Sequence, residues 1–341
     1  MNKNVIAYYP YVIGSSENAY TPNMINIWKG KYKVIPYAKD GLEREDFKKC
    51  EAIVLNWIED KLDIKSWMLL LFYRLCGKKV IWVFHNNKPH LDDDLWKMTF
   101  RMVGITLVSS DIILHSNHSR EYLKKINSFA LKKARFIPHI NYCENYINTQ
   151  KDYRQSLGFK DDDIVFMFFG ALKAYKNVEL LIQVFKEIAS PNIKLLIVGK
   201  ASDNRYAKKI KQLCDGCSNI TVHIKYVNSA DVYTYFNTCD VLVLPYHKES
   251  SLNSGAMIAA FSCGKTVIVP DIAMAKDMSR FCFMYSYENE QAHKSAIKKE
   301  IISACNLGRE KCCDLGEKAR KYVQVKNSKE VVSKKIDILM S

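Results

Sequence analysis

FMFFGALKAYKN (Phe166 to Asn177), LLIVGK (Leu195 to Lys200) and DVLVLPYHKESSLNSGAMIAAFSCGKTVIVPD (Asp240 to Asp271) are the stretches whose reading decides the fold of this chain. The first is an apolar run that stops at Gly170, a short loop carrying Lys173 and Lys176, and a helical pattern from Val178. A strand that breaks at a glycine and leads into a helix leaves unpaired backbone N–H groups at the helix start, and those groups with Lys176 suit a phosphate. The third stretch repeats the design. Val241 to Leu244 is a β-branched apolar run, Pro245 stops it, and a Ser/Asn/Gly loop precedes a helical pattern from Ala256 to Ser262. Two strand–loop–helix units of this kind at the carboxyl ends of parallel strands predict a nucleotide site.

Outward from this core, strand and helix patterns alternate along the whole chain. Strands are predicted at Val5 to Tyr9, Tyr32 to Pro36, Ala52 to Asn56, Val80 to Phe84, Ile112 to His115 and Arg135 to Ile137. Helices are predicted between them, at Pro22 to Trp28, through GLEREDFKKCE, at Lys65 to Cys76 (closed by Gly77), at Asp94 to Val108 and at Ser119 to Lys125. A second series begins at Ile164, with strands at Leu195 to Val198, Ile220 to Ile224 and Thr266 to Val269, and a basic helical tail runs from Gln291 to Leu339. Such alternation argues for parallel α/β architecture with right-handed crossovers. The polar, turn-rich stretch Asn145 to Asp152 marks a boundary. The expected organisation is residues 1–147, then 148–325, then a terminal helix at 326–341 that packs back on the first domain.

Composition restricts the function classes. With 48% hydrophobic residues in 341, the chain can bury two ordinary cores. A formal net charge of +15 calls for an anionic partner. The lysines are scattered and no nucleic-acid motif appears, which favours a phosphate ligand or an anionic membrane surface over DNA or RNA. The 11 cysteines are irregularly spaced, and several, such as Cys76, Cys239 and Cys263, sit inside apolar or helical patterns. This predicts free thiols in a reducing, cytoplasmic compartment. Cys214 and Cys217 form a lone CxxC with no second pair at zinc spacing, so no metal site is expected. The N-terminus lacks an apolar signal core. The most apolar segment, Trp67 to Leu75, is shorter than the ~20 residues that span a bilayer. It reads either as a buried helix or, with Lys65, Arg74, Lys78 and Lys79 at its ends, as a helix lying on a membrane surface.

The strand–glycine–lysine loop, VHIKYVNSADVYTYFNTCDVLVLPY (Val222 to Tyr246) and SGAMIAAFSCGKTVIVPD together resemble the donor half of GT-B glycosyltransferases, specifically the family 4 (group 1) bacterial polysaccharide enzymes. WVFHNNKPH (Trp82 to His90) and FIPHINY (Phe136 to Tyr142) resemble their acceptor half. The resemblance implies two Rossmann-like domains facing a central cleft, the first on the acceptor side and the second on the donor side. It implies transfer from a nucleotide diphosphate sugar, a UDP- or GDP-sugar, to a saccharide acceptor hydroxyl, lipid-linked, in surface polysaccharide synthesis, with no metal and no further cofactor. The enzyme would be peripheral on the inner face of the membrane. Position by position, His85, Lys176 and Glu249 are the implied catalytic residues. Gly14, Gly170, Lys173, Lys176, Gly199, Tyr226, Val227, Ser254, Gly255 and Ala256 are the implied donor-binding residues. Gly14 would lie in a flexible loop, and Ser254 to Ala256 would present backbone N–H groups.

Two positions depart from the family pattern. Ala171 stands where an arginine usually follows the turn glycine, and Lys173 is the available replacement. His247 and Gly255 stand where many retaining members carry glutamates, and Glu249 is displaced by two positions. The resemblance therefore leaves the stereochemical outcome open. It also keeps two alternatives, a GT-B sugar-nucleotide epimerase and a non-catalytic sugar-nucleotide or glycan-binding protein. Weaker candidates are His90 and His139. Asp92, Asp93 and Asp94 read chiefly as helix-capping acids, one of them a candidate base for the acceptor hydroxyl, while Tyr142 and Tyr146 read equally well as packing.

Overall fold

Strands covered on both faces read as unbroken apolar runs, and VIAYY, AIVL within CEAIVLN and VIWV within KVIWV are such runs, nearly every residue buried. In the computed structural model the described residues are all except 1–3, 13–18, 39, 59–61, 87–94, 189 and 250, with the side chains of 95–98 also left aside. The chain groups into two units. Unit 1 comprises Met1–Ile140, Glu249–Asn253 and Lys326–Ser341, and unit 2 comprises Asn141–Lys248 and Ser254–Val325.

The elements follow in chain order as β1 (Val5–Tyr9), α1 (Tyr20–Lys29), β2 (Lys33–Pro36), α2 (Arg44–Lys49), β3 (Cys50–Asn56), α3 (Ile64–Leu75), β4 (Lys79–Val83), α4 (Leu95–Val108), β5 (Asp111–Leu114), α5 (Ser119–Ile126) and β6 (Ala134–Phe136). The sheet they form is parallel, with order β2-β1-β3-β4-β5-β6. Strand order reverses between β1 and β3. The steps from β3 to β6 all run one way, so right-handed crossovers put α3 and α4 on one face of the sheet and α1 on the other.

Unit 2 continues with β7 (Ile164–Phe169), α6 (Val178–Lys186), β8 (Ile193–Val198), α7 (Asn204–Cys214), β9 (Ile220–His223), α8 (Ser229–Thr238), β10 (Val241–Val243), α9 (Gly255–Ser262), β11 (Thr266–Pro270), α10 (Ala273–Asp277), β12 (Cys282–Tyr285), α11 (Glu290–Leu307) and α12 (Arg309–Lys326). Its parallel sheet has the order β12-β11-β10-β7-β8-β9 and reverses between β7 and β10. At the amino ends of those two strands the Asp240 carboxylate accepts from the Val165 N–H (2.8 Å), Arg154 (3.3 Å) and Arg309 (3.1 Å). The last helix, α13 (Lys329–Met340), belongs to unit 1, where the Lys79 ammonium donates to the Leu339 carbonyl at 2.7 Å.

α6 begins at Val178 as its pattern predicts, and the short loop before it holds a 3-10 turn (Ala174–Lys176) and a left-handed Asn177 (φ 52°). β12 is a short edge strand with no alternation to announce it. Cys76 is not buried: it caps the C-terminal end of α3 and is exposed, whereas Cys239 and Cys263 are buried free thiols. Cys214 and Cys217 are half-buried free thiols, and burial followed by the neighbouring Cys217 pushes Cys214 up to about 11, so it is not a ready thiolate. Among the described residues no helix is long and apolar enough to cross a membrane.

Gly316 gives a test of the packing in unit 2. It lies in α12, where alanine has the higher intrinsic helix propensity by ~1 kcal/mol. A Cβ there, however, would sit 2.1 Å from the Gly264 carbonyl oxygen. Gly316→Ala is therefore expected to lower the melting temperature by several degrees, and a rise on thermal denaturation would show that α12 does not rest on the β11 entry turn.

Candidate functional site

In unit 2 the site is built at the carboxyl ends of β7 and β10, where the strand order reverses and open α/β sheets leave a crevice for ligands. The exit of β7 is held by the exit of β8. Gly170 N–H donates to the Val198 carbonyl (3.0 Å), Leu172 N–H to Lys200 (2.8 Å) and Ser202 N–H to Leu172 (3.0 Å). Gly199 must be glycine because a Cβ there would lie 1.8 Å from the Gly170 carbonyl oxygen. Gly199 thus supports the loop from behind. Gly170 itself has φ +132°, a region L side chains rarely adopt, and its open side faces Lys176, whose Nζ would be 3.3 Å from an added Cβ.

Lys176 ends the 3-10 turn and folds back over the glycine. Its Nζ also stands 5.5 Å from the centroid of the Tyr246 ring, which follows β10. Burial, then the like charge of Lys173, lowers its pKa from 10.5 to about 8. Among the described residues no carboxylate pairs with it. A desolvated ammonium beside a glycine and a π-face suits an anion. Lys173 is exposed in the same loop.

Tyr246 is buried beside α9, and the Ser254 hydroxyl donates to its oxygen at 3.5 Å. Ser254 also caps its own helix, accepting from the Met257 N–H at 3.2 Å. The N–H groups of Gly255 and Ala256 are the first of α9 and point out of its amino end. An added Cβ on Gly255 would be 3.3 Å from the Tyr142 hydroxyl, and Tyr142 meets Tyr146 ring to ring at 6.1 Å. Tyr226, exposed after β9, is within electrostatic reach of Tyr146. Val227 follows it in the same β9–α8 loop. His247 and Lys248, next after Tyr246, are anchored instead: His247 N–H donates to the Tyr175 carbonyl (3.4 Å) and Lys248 N–H to the Tyr287 hydroxyl (2.8 Å).

In unit 1, His85, His115 and His139 follow the adjacent strands β4, β5 and β6 and gather around Tyr20. His115 accepts from the Tyr20 hydroxyl at Nε2 and faces the Ile137 carbonyl at Nδ1, both 2.8 Å, which fixes the proton on Nδ1. His139 donates from Nδ1 to the Ile140 carbonyl at 2.9 Å. His85 donates from Nε2 to Asn56 Oδ1 at 3.0 Å, and Asn56 in turn donates to the Tyr9 carbonyl. Burial lowers all three, His115 to about 4 and His139 to about 3, with neighbouring histidines adding to the effect on His85 and His139. They are neutral at pH 7. Trp57, at φ 49°, stacks on His85 with centroids 4.3 Å apart. A bulky residue in the left-handed region carries strain, which clusters at functional sites.

The structure thus gathers Gly170, Lys176, Gly199 and Ser254 to Ala256 in unit 2. It places His85 in unit 1, and it groups Glu249 there as well, in the segment where Leu252 N–H donates to the His85 carbonyl (3.3 Å). Gly14, His90 and Asp92 to Asp94 lie outside the described residues. Tyr246, His115, Tyr20 and Trp57 were not singled out from the sequence. His115 occupies the same strand-end position as His85, and that register was the available signal.

The depressed pKa of Lys176 makes a stability prediction with a definite sign. Its folded pKa, about 8, lies below the unfolded 10.5, so the charged form opposes folding fully below pH 8, and the penalty fades as pH rises toward 10.5. Lys176→Met should stabilise the ligand-free protein at pH 7 by up to ~3 kcal/mol, with the advantage vanishing near pH 10.5. Equal or lower stability of the variant in urea titrations at pH 7 would contradict a desolvated cation.

Comparison with known proteins bears on the family and the fold. The family described as "Glycosyl transferases group 1" matches residues 149–322, 174 of the 341. The GDP-mannose:glycolipid 4-beta-D-mannosyltransferase of Xanthomonas campestris pv. campestris is 23% identical over 257 residues, covering 70% of this chain and 64% of that protein. The chain therefore spans less than two thirds of that relative's length. The lipopolysaccharide 1,2-N-acetylglucosaminetransferase of Salmonella typhimurium is 25% identical over 129 residues, covering 36% of this chain and 34% of that protein. Among solved structures, Anabaena HepE in complex with UDP and glucose superposes with a TM-score of 0.73 at 13% identity, covering 99% of both chains. The two parallel six-stranded sheets are those of the GT-B fold, and the chain belongs to the group 1 glycosyl transferases.

Proposed function

We propose that this protein transfers a sugar from a nucleoside diphosphate sugar to a hydroxyl of a saccharide acceptor, and that the acceptor is lipid-linked and met at an anionic membrane surface. Lys176 carries the donor half of this reading: it is a partly buried ammonium at the strand-order reversal with no described carboxylate against it. In the transfer the bond from the anomeric carbon to the phosphate oxygen breaks, and the diphosphate leaves with the electron pair. The acceptor oxygen forms the new bond to that carbon, and its proton passes to the departing diphosphate or to water. Lys176 and the first N–H groups of α9 would neutralise the departing diphosphate, with Lys173 adding charge at the loop where the family arginine is replaced by Ala171. Charge placed in advance at a developing anion lowers the barrier without reorganisation.

His85 fits a positioning role better than that of a strong base. Its burial disfavours the imidazolium, and its Nε2 is committed to Asn56. The lipid-linked acceptor is supported by the glycolipid and lipopolysaccharide named for the two bacterial relatives, and by the net charge of +15. GDP- and UDP-sugars are the donors those comparisons suggest.

The donor half is tested by thermal shift with UDP, GDP, CDP, dTDP and ADP. One diphosphate at a hundredfold its Kd should stabilise the wild type by ~2.7 kcal/mol, and Lys176→Ala should abolish the shift. No shift with any of them overturns the donor site. Transfer of labelled sugar from the matching donor to a lipid extract tests the rest. Tight binding without transfer to any acceptor would make the protein a sugar-nucleotide-binding module.

Affinity should also depend on pH. Because the bound diphosphate needs the ammonium form, Lys176 should add no pH dependence below pH 7. Above pH 8 affinity should fall about tenfold per unit in the wild type. In Lys176→Arg it should stay flat, since arginine remains charged. Calorimetry across that range reads this directly.

A further inference from the structure

The helix read from sequence as either buried or lying on a membrane surface has a buried side and an exposed apolar side. Ser66, Leu70 and Tyr73 of α3 are buried. The opposite side carries Ile64, Met68, Phe72 and Leu75, exposed by 52% to 79%. At 100° per residue these four fall within about 80° of one another, a continuous apolar stripe aimed at solvent. The neighbouring helix extends it. The Trp67 indole donates to the Gly104 carbonyl at 2.9 Å, so α3 and α4 lie side by side on one sheet face, and α4 exposes Phe100 and Leu107. A soluble surface rarely leaves so many large apolar side chains contiguous without a use for them.

We propose that this α3–α4 face is where the protein lies on an anionic lipid bilayer. The charges around the stripe select that occupant. Neither α3 nor α4 contains an Asp or Glu, while Lys65, Arg74 and Arg101 lie along them. The 3-10 turn Ser128–Lys133 adds Lys132 and Lys133, and the Lys133 ammonium is held at the carboxyl end of α4 by the Thr106 carbonyl (2.9 Å). Among the described residues the acids beside these bases are Asp40, 3.0 Å from Lys65, Asp63, which caps α3 by accepting from the Ser66 N–H, and Asp111, whose charge acts on Lys133, so bases outnumber acids along this face. Beyond Phe72, which stacks on Phe47, α2 carries three bases against two acids. A second copy of the chain is a poor occupant, since a two-fold contact would bring this basic face against itself between molecules of charge +15. A bilayer with acidic headgroups accepts the apolar stripe between its chains and the cations at its surface. α3 has only 12 residues, so it would lie in the interface and not cross it. The inference rests on the lipid-linked acceptor of the proposed function for its purpose, but not for its geometry.

Co-sedimentation of the full chain with phosphatidylglycerol-rich vesicles tests it. The wild type should bind these at least about tenfold more tightly than pure phosphatidylcholine vesicles. Ile64→Ser, Met68→Ser and Leu75→Ser combined should weaken binding about tenfold or more. Val325→Ser with Ile338→Ser removes equally exposed apolar side chains elsewhere and should change nothing. The nucleotide-induced thermal shift should be the same in all three proteins, which separates failure of this surface from failure of the donor site. Absence of vesicle binding by the wild type, or undiminished binding by the triple variant, overturns the proposal. So does a wild-type dimer in sedimentation velocity that the triple variant dissociates.

Discussion

Everything at the carboxyl end of the unit 2 sheet depends on one close approach. Gly199 runs so near the Gly170 carbonyl that no side chain fits between them. That contact fixes the exit of β7 and turns the open side of Gly170 toward the returning loop, where Lys176 is set down beside Tyr246. The cost of placing an ammonium there appears in its lowered pKa, and the structure supplies no carboxylate among the described residues to offset it. Under the proposed function, a bound diphosphate would offset that cost.

The two units use the same physical device at their strand ends and different chemistry. In unit 2 the device presents positive charge and free N–H groups. In unit 1 it presents three neutral imidazoles whose tautomers are set by backbone carbonyls, Asn56 and Tyr20. Neutral, desolvated imidazoles suit hydrogen bonds to hydroxyls better than contacts to phosphates.

Much of this was legible in the sequence because it is local. Gly170 interrupts an apolar strand, Ser254 precedes a helix, and His85 ends a run of buried residues, so each announces its place by its immediate neighbours. What stayed hidden is tertiary. Nothing near Tyr246 says that its ring lies under Lys176, more than sixty residues away in sequence. His115 resembled a strand residue until β4, β5 and β6 aligned it with His85 and His139. The helix from Val178 was legible, but the 3-10 turn and the left-handed Asn177 inside the loop before it were not. Cys76 looked like a core thiol because its helix is apolar, but that helix turns an apolar stripe outward. Glu249 was read as part of the donor loop, and its segment groups with unit 1.

The most direct test is the titration of the Lys176 side chain by NMR, with lysines carbon-13 labelled at Cε and the signal assigned with Lys176→Arg. Free protein should give a midpoint near pH 8, and saturation with the matching nucleoside diphosphate should move it to 10.5 or above. A free-protein midpoint near 10.5 that does not respond to nucleotide would contradict the account, because Lys176 would then be an ordinary solvated lysine.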